Sequence, residues 1–134
     1  MAPHPPSSRQ AATYRSLGTP NGVKASILLE ELKEAYGKSY TFQAINISKN
    51  TQKEPWYTAL SPNGRIPTIV DHDRNGFAVF ETLAILTYLA RHYDPEHKFS
   101  FPADSDDYSV AEQWLAWGQG GLGPMCVALF FLSS

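Results

Sequence analysis

The spacing of apolar residues predicts two amphipathic helices. In each one, apolar side chains recur at intervals of three and four residues, which places them on one helical face. The first helix covers residues 21–36, and its apolar face consists of Ala25, Leu28, Leu29, Leu32 and Tyr36. The second covers residues 81–93, and its apolar face consists of Ile85, Leu86, Leu89 and Tyr93. Gly37 and Asp94-Pro95, which follow the two helices, are typical of helix ends.

Four short segments have the pattern of β-strands. They are residues 12–17, 40–46, 67–71 and 77–80. In the second segment, alternation places Tyr40, Phe42 and Ala44 on one face. The last two segments are joined by a turn, so they are predicted to form a hairpin. A short helix that begins near Pro55 is expected between the second and third strands.

The order of these elements predicts an α/β domain that is followed by a helical segment. A strand–helix–strand unit joined to a hairpin and a helix gives a mixed sheet flanked by helices. Residues 1–11 are rich in Pro, Ser and Gln and are predicted to be a disordered tail. The domain would cover residues 12–97. Residues 98–134 would form a linker and the beginning of a helical domain, with a helix from Asp106 to about Trp117.

Composition excludes several classes of function. The 134-residue chain has eleven basic and thirteen acidic side chains, so it lacks the positive charge typical of nucleic-acid or membrane-surface binding. Its single cysteine, Cys126, excludes an internal disulfide and a CxxC pair. Residues 1–8 do not resemble a signal peptide, and no window approaches the about 20 apolar residues that cross a bilayer. We therefore expect a cytoplasmic protein that binds neither nucleic acid nor membrane.

Four motifs in a fixed order carry a resemblance to a known family. They are Thr19-Pro20-Asn21-Gly22, Asn63-Gly64-Arg65-Ile66-Pro67, Phe80-Glu81-Thr82, and Gln113-Trp114-Leu115-Ala116-Trp117 with the following Gly120-Gly121-Leu122-Gly123-Pro124-Met125. Together they resemble the glutathione transferases, in particular the fungal nitrogen-regulator-like and bacterial nu-class groups. The resemblance spans roughly residues 12–125. It implies a thioredoxin-like N-terminal domain, glutathione as co-substrate and a possible homodimer.

The resemblance also implies that the Ile66-Pro67 peptide bond is cis. Only about 5–6% of X-Pro bonds in folded proteins are cis, so the sequence without the resemblance predicts a trans bond. In the family, the backbone of the residue at Ile66 pairs with the cysteinyl part of glutathione, which binds as an additional strand. The alternative is a proline that simply begins a strand.

The resemblance assigns the glutamyl end of glutathione to Glu81 and Thr82. Glu81 would bind the ammonium group, and Thr82 would bind the carboxylate through its N–H and its hydroxyl. The beginning of a helix suits an anion because its N–H groups are unpaired. The alternative is that Glu81 and Thr82 only cap the helix. Gln52 and Lys53 match the loop that reaches the glycyl end, although Lys53 is equally consistent with a solvated lysine.

Asn21 is the candidate catalytic residue. Glutathione reacts as a thiolate, and a free thiol has a pKa near about 8.5. An amide N–H donor at a helix N-terminus stabilises the anion relative to the thiol. The alternative is that Asn21 caps its helix, and the two roles are compatible. The histidines have no metal-binding spacing, so no metal site is expected; they are His4, His72, His92 and His97.

The resemblance predicts that the protein binds glutathione and either conjugates it with a small electrophile or reduces a glutathionyl disulfide. A fungal setting would suggest detoxification or secondary-metabolite biosynthesis. Family members continue through several further helices, whereas residues 126–132 here form an apolar run. Both an altered end of a longer gene and a genuinely short protein are consistent with this departure. The alternative function is a non-catalytic glutathione-binding or regulatory protein, or an inactive truncated product.

Overall fold

The computed structural model describes residues 11–132, in which four strands form one mixed sheet. The strands are β1 (Ala12–Ser16), β2 (Tyr40–Ala44), β3 (Thr68–Asp71) and β4 (Phe77–Phe80). Their order across the sheet is β2-β1-β3-β4, with β1 parallel to β2 and antiparallel to β3. The predicted tail lies outside the described residues except for Ala11, which is buried and whose N–H donates to the carbonyl of Ser39.

Within residues 11–132, five α-helices connect or follow these strands. They are α1 (Pro20–Tyr36), α2 (Pro55–Thr58), α3 (Thr82–Tyr93), α4 (Asp106–Trp117) and α5 (Gly123–Leu132). The first helix has the features of a stable start and end: Pro20 is its first residue, and Gly37 at φ 70° follows its last turn. The N–H of Gly37 donates to the carbonyl of Lys33. The bounds of α1, α3 and α4 agree with those predicted from the sequence to within a residue or two at each end.

The packing of the domain confirms both predicted apolar stripes except at Leu86, which is half-buried and not part of the core. α1 and α3 contribute to one core with the central strands, and the buried members are Ala12, Tyr14, Ala25, Leu29, Leu32, Ile69, Ile85 and Leu89. A helix between parallel strands β1 and β2 places its apolar face on the sheet, which is the usual right-handed crossover arrangement. The core therefore lies between the sheet and the α1–α3 pair.

Strand β2 has the predicted alternation but is more exposed than the other strands' central residues: the rings of Tyr40 and Phe42, two residues apart, both lie near that of Tyr14. All five β2 residues remain at least partly exposed, and Phe42 is 56% exposed although its ring lies 6.1 Å from that of Tyr14. The reason is that β2 is an edge strand, covered on one side only. The strand also ends earlier than predicted, because the side chain of Asn46 accepts hydrogen bonds from the N–H groups of Ser48 and Lys49 and starts a 3₁₀ turn.

A buried carboxylate attaches the linker to the domain. Asp94 is 2% exposed and accepts hydrogen bonds from the Tyr36 hydroxyl at 2.6 Å and from the N–H groups of Lys98 and Phe99 at 2.9 Å. The Ser100 hydroxyl donates to it at 2.7 Å. Burial alone would raise the pKa of Asp94, but these donors outweigh burial and lower the pKa below its ordinary value. The linker is thus held against the end of α1.

The helical segment after the linker is more exposed than the domain. α4 is capped by Ser105, whose hydroxyl accepts a hydrogen bond from the N–H of Tyr108 at 3.1 Å, and the helix contains no buried residue. Trp114 is 65% exposed and Trp117 is 54% exposed. Within residues 11–132, no helix combines the length and the apolar character that crossing a membrane requires.

Asp94→Asn should destabilise the protein by roughly 2–3 kcal/mol near neutral pH, because a charged acceptor shared by four donors is lost. Urea unfolding measures this difference. Since the folded-state pKa lies below the ordinary value of 3.8, the contribution should be complete above that value and should disappear as the pH falls through the folded-state pKa. The control is Asp73→Asn, which removes an exposed ion pair with Lys38 and should change stability by less than about 1 kcal/mol. Equal effects of the two substitutions would contradict the prediction.

Candidate functional site

The Ile66-Pro67 peptide bond is cis, as the resemblance implied. The ladder between β1 and β3 ends at the pair Arg15–Thr68. Among the described residues, neither the N–H nor the carbonyl of Ile66 has a hydrogen-bond partner. Ile66 therefore offers one donor and one acceptor at the end of the sheet, as an extended peptide ligand would need.

Buried hydroxyl groups hold the segment that precedes Ile66. The carbonyl of Arg65 accepts hydrogen bonds from the hydroxyls of Tyr57 and Ser61, each at 3.1 Å. The Tyr57 hydroxyl also lies 2.9 Å from the hydroxyl of Thr68. Tyr57 is completely buried, and burial raises the pKa of its phenol, so it remains a neutral donor. Pattern reasoning missed Tyr57 because its partners come from a different element.

The junction before α3 has an unusual backbone conformation at Glu81. Glu81 has φ 72° and ψ 127°, a region that residues other than glycine rarely adopt, and such strain is concentrated at functional sites. Its side chain makes no capping hydrogen bond. One carboxylate oxygen instead lies 3.5 Å from the side-chain nitrogen of Asn63. Glu81 is exposed, so its carboxylate is accessible to a cationic group.

Thr82, the first residue of α3, joins the beginnings of two helices. It is 1% exposed, and its hydroxyl donates to the carbonyl of Asn21 at 3.1 Å. The helix start leaves the N–H groups of its first turn without helical partners. Glu81 occupies the N-cap position of α3 but its side chain makes no capping hydrogen bond, and the Thr82 hydroxyl donates to another helix.

Asn21 is the second residue of α1 and does not cap that helix. The cap is Thr19, whose side chain accepts a hydrogen bond from the N–H of Gly22 at 3.3 Å. The Asn21 side chain is exposed, and its oxygen lies 3.5 Å from the ammonium of Lys24. Its amide nitrogen has no partner among the described residues. The cap interpretation of Asn21 is therefore wrong, and a donor remains available near a helix N-terminus.

The first turn of α1 lies directly on the end of β1. A Cβ atom at Gly22 would lie 2.2 Å from the Ser16 hydroxyl oxygen and 2.3 Å from the Leu17 carbonyl oxygen, so only glycine fits. The hydroxyl of Tyr14, in β1, donates to the Gly22 carbonyl at 2.5 Å. The position of the turn that carries Asn21 is thus determined by backbone contact with the sheet.

Gln52 and Lys53 lie in a 3₁₀ turn that packs against Asn63-Gly64. The Lys53 ammonium lies 3.4 Å from the carbonyl of Asn63. Gly64 has φ 60°, and a Cβ atom there would approach the Gln52 carbonyl to 3.0 Å. The side-chain oxygen of Gln52 is buried without a partner among residues 11–132. Lys53, Asn63 and Glu81 therefore form one continuous series of contacts.

Two contacts bring the candidate residues together. The Asn63–Glu81 contact joins the Gln52–Lys53 turn and the Ile66-Pro67 segment to α3, and the Thr82–Asn21 hydrogen bond joins α3 to α1. Among the described residues, no group of three or more His, Cys, Asp or Glu side chains is arranged to hold a metal ion. The arrangement offers helix N-termini, amide donors and one accessible carboxylate, which suit a small zwitterionic peptide.

A mixed four-stranded sheet in this order, with α1 and α3 on one face and a cis-proline before β3, is a thioredoxin-like domain. Residues 10–91 match the family described as glutathione S-transferase, N-terminal domain. The chain therefore belongs to the glutathione S-transferase family, and the predicted fold class is confirmed.

Three relatives illustrate the similarity. Glutathione S-transferase 1 of Schizosaccharomyces pombe is 42% identical over 111 residues, which are 76% of this chain and 47% of the relative. A glutathione transferase homolog from Lodderomyces elongisporus, solved with two GSH per subunit, is 43% identical, with a TM-score of 0.78 over 84% of this chain and 52% of that one. A glutathione transferase from Phanerochaete chrysosporium, solved with oxidized glutathione, is 33% identical, with a TM-score of 0.80 over 88% of this chain and 52% of that one. The chain spans about half the length of these relatives.

Gly22→Ala should destabilise the domain by roughly 1–3 kcal/mol, because the added methyl group would force α1 away from β1. The midpoint of urea unfolding at an unchanged slope measures this loss. Gly18→Ala is the matched control, since a Cβ atom at Gly18 would meet no atom within 4 Å. A Gly22→Ala protein as stable as the wild type would show that the two backbones are farther apart than described.

Proposed function

We propose that this protein binds glutathione where α1 and α3 begin and that Asn21 stabilises its thiolate for reaction. The observation that carries the proposal is the Thr82–Asn21 hydrogen bond, which holds two helix N-termini side by side. The accessible carboxylate of Glu81 belongs to the residue directly before Thr82, and the free backbone of Ile66 lies two residues before Thr68, which pairs with Phe80. The reaction is either conjugation with a small electrophile or reduction of a glutathionyl disulfide.

Each part of glutathione has a matching group in this arrangement. Glu81 binds the ammonium of the glutamyl group, and the N–H groups at the start of α3, beginning with Thr82, bind its carboxylate. The Ile66 backbone, ahead of Pro67, pairs with the cysteinyl residue as an added strand. Gln52 and Lys53 bind the glycyl end, where the ammonium of Lys53 provides a cation.

The chemistry at Asn21 is stabilisation of an anion. A shift of about two units in the pKa of the bound thiol requires about 2.7 kcal/mol of differential interaction. One hydrogen bond to a charged group and a helix N-terminus supply energies of this order. Because the Asn21 amide nitrogen has no partner among residues 11–132, it can donate to the thiolate without breaking another hydrogen bond.

Several finer features remain predictions. The neighbours bound to glutathione or its oxidized form support glutathione as the ligand, and they are consistent with both reactions. A cytoplasmic location, a homodimer, the division at residue 97 and a role in detoxification or secondary metabolism are proposed on composition and resemblance. The matched residues make up about half of the relative, so the binding of the electrophile is also a proposal.

A non-catalytic glutathione-binding or regulatory protein is the second candidate. The exposure of α4 favours it, because an electrophile bound against Trp114 or Trp117 would be open to water on the described surface. Binding of glutathione without turnover of either an aromatic electrophile or a glutathionyl disulfide would select this function. Turnover of either substrate would exclude it.

Glu81→Ala should weaken glutathione binding by roughly 1–3 kcal/mol, because the bound ammonium loses a charge-assisted partner. Isothermal titration calorimetry measures the change. The matched control is Glu34→Ala, which removes an exposed carboxylate on α1 and should leave the affinity unchanged. Unchanged affinity in Glu81→Ala would remove Glu81 from the binding site.

Asn21→Ala should raise the pKa of bound glutathione towards the free-thiol value and lower the rate more than the affinity, because the lost donor acts on the reactive anion. Thiolate absorbance titrated against pH measures the pKa. Gln113→Ala, which removes an exposed amide on α4, is the control. Equal titration midpoints in wild type and Asn21→Ala would exclude Asn21 from the chemistry.

A further inference from the structure

We infer that Tyr14 and Thr82 are positioning residues for Asn21, because their hydroxyls hold two consecutive carbonyl groups in the first turn of α1. Tyr14 donates to Gly22 at 2.5 Å, and Thr82 donates to Asn21 at 3.1 Å. The inference rests on the proposed function, in which Asn21 stabilises the thiolate of glutathione.

These two hydrogen bonds are additional to the helix's own. In an α-helix, the carbonyls of Asn21 and Gly22 already accept from N–H groups four residues later. The hydroxyls therefore do not satisfy otherwise unpaired acceptors. They fix the sideways position of the turn relative to the sheet and to α3, which helical hydrogen bonds alone do not determine.

Tyr14 has a hydroxyl where the packing of the core requires only a ring. Its side chain is 1% exposed and packs among apolar residues of β1, α1 and α3. A phenylalanine would fill the same volume, so the hydroxyl serves its polar partners, of which the carbonyl of Gly22 accepts its proton. Burial raises the pKa of Tyr14, which keeps the phenol protonated and able to donate at neutral pH.

Thr82 couples the glutamyl end of the site to the thiol end. A threonine hydroxyl has a single proton, and here that proton is donated to Asn21. The carboxylate of a ligand is then bound by the N–H groups at the start of α3, while the hydroxyl transmits the position of α3 to α1. A misplacement of about 1 Å in a reacting group can cost about a hundredfold in rate, so this connection affects the chemistry directly.

The test compares Tyr14→Phe, Thr82→Val and Thr82→Ser in the 134-residue chain. Two quantities are measured: the thiol pKa of bound glutathione by absorbance, and the affinity for γ-glutamyl-alanyl-glycine, which has no thiol. Tyr14→Phe and Thr82→Val should each raise the thiol pKa by about one unit, a tenfold change in ionisation. Tyr14→Phe should change the affinity for the thiol-free peptide less than twofold. Thr82→Ser should restore the wild-type pKa.

Tyr40→Phe is the matched control for the loss of a tyrosine hydroxyl. Tyr40 lies in the same sheet, its ring is 6.4 Å from that of Tyr14, and its hydroxyl donates to the exposed carboxylate of Glu30. This substitution should leave the thiol pKa and the affinity unchanged. A general loosening of the sheet would instead affect Tyr40→Phe and Tyr14→Phe alike, and that result would overturn the inference.

The possible outcomes separate the inference from the proposed function. A wild-type chain that binds neither glutathione nor the thiol-free peptide would overturn the proposed function. Binding with an unchanged thiol pKa in Tyr14→Phe and Thr82→Val would overturn only the positioning roles. If a variant does not fold, hydrogen exchange in the wild type decides: γ-glutamyl-glycine should slow exchange at the N–H groups of Ala25 and Ser26, and an unchanged exchange rate would overturn the coupling.

Discussion

Where α1 begins on the end of β1, the two backbones leave no space for a side chain at Gly22. This contact determines how the first turn of α1 lies relative to the start of α3. With Gly22 against Ser16 and Leu17, the carbonyl of Asn21 is directed towards α3, and the Thr82 hydroxyl meets it. Glu81, one residue earlier, adopts its positive φ at the same junction. The candidate site is therefore a consequence of how closely one helix meets one strand.

Two buried carboxylates hold the scaffold around this junction. Asp71, at the end of β3, is completely buried and accepts hydrogen bonds from the hydroxyls of Tyr88 and Tyr93 in α3. Asp94, directly after α3, accepts from Tyr36 of α1. In both cases, the partners include neutral hydroxyls, which satisfy the charge without a second buried ion. α3 is thus anchored to the hairpin and to α1, and its first turn has a defined position.

The sequence predicts those helices and strands whose structure follows from the residues of their own segment. The stripe containing Ala25, Leu29 and Leu32 predicts α1 because only one face is buried. For β2, alternation predicts which residues share a face but not how far they are buried, since it does not distinguish an edge strand from a central one. Thr19 and Asn21 both have side chains able to cap a helix, and the extended backbone of Thr19 decides between them. The contact between Thr82 and Asn21 joins distant segments, so no local pattern contains it.

The strand order has a consequence for how the domain forms during synthesis. Of the four strands in residues 11–132, β1 is the first to be synthesised, yet it lies in the middle of the sheet. It can pair with β2 soon after α1 is made, because that unit is continuous in the chain. Its other edge stays open until β3 emerges. During that interval, the nascent chain exposes an unpaired strand edge, which is a surface that other chains or chaperones can bind.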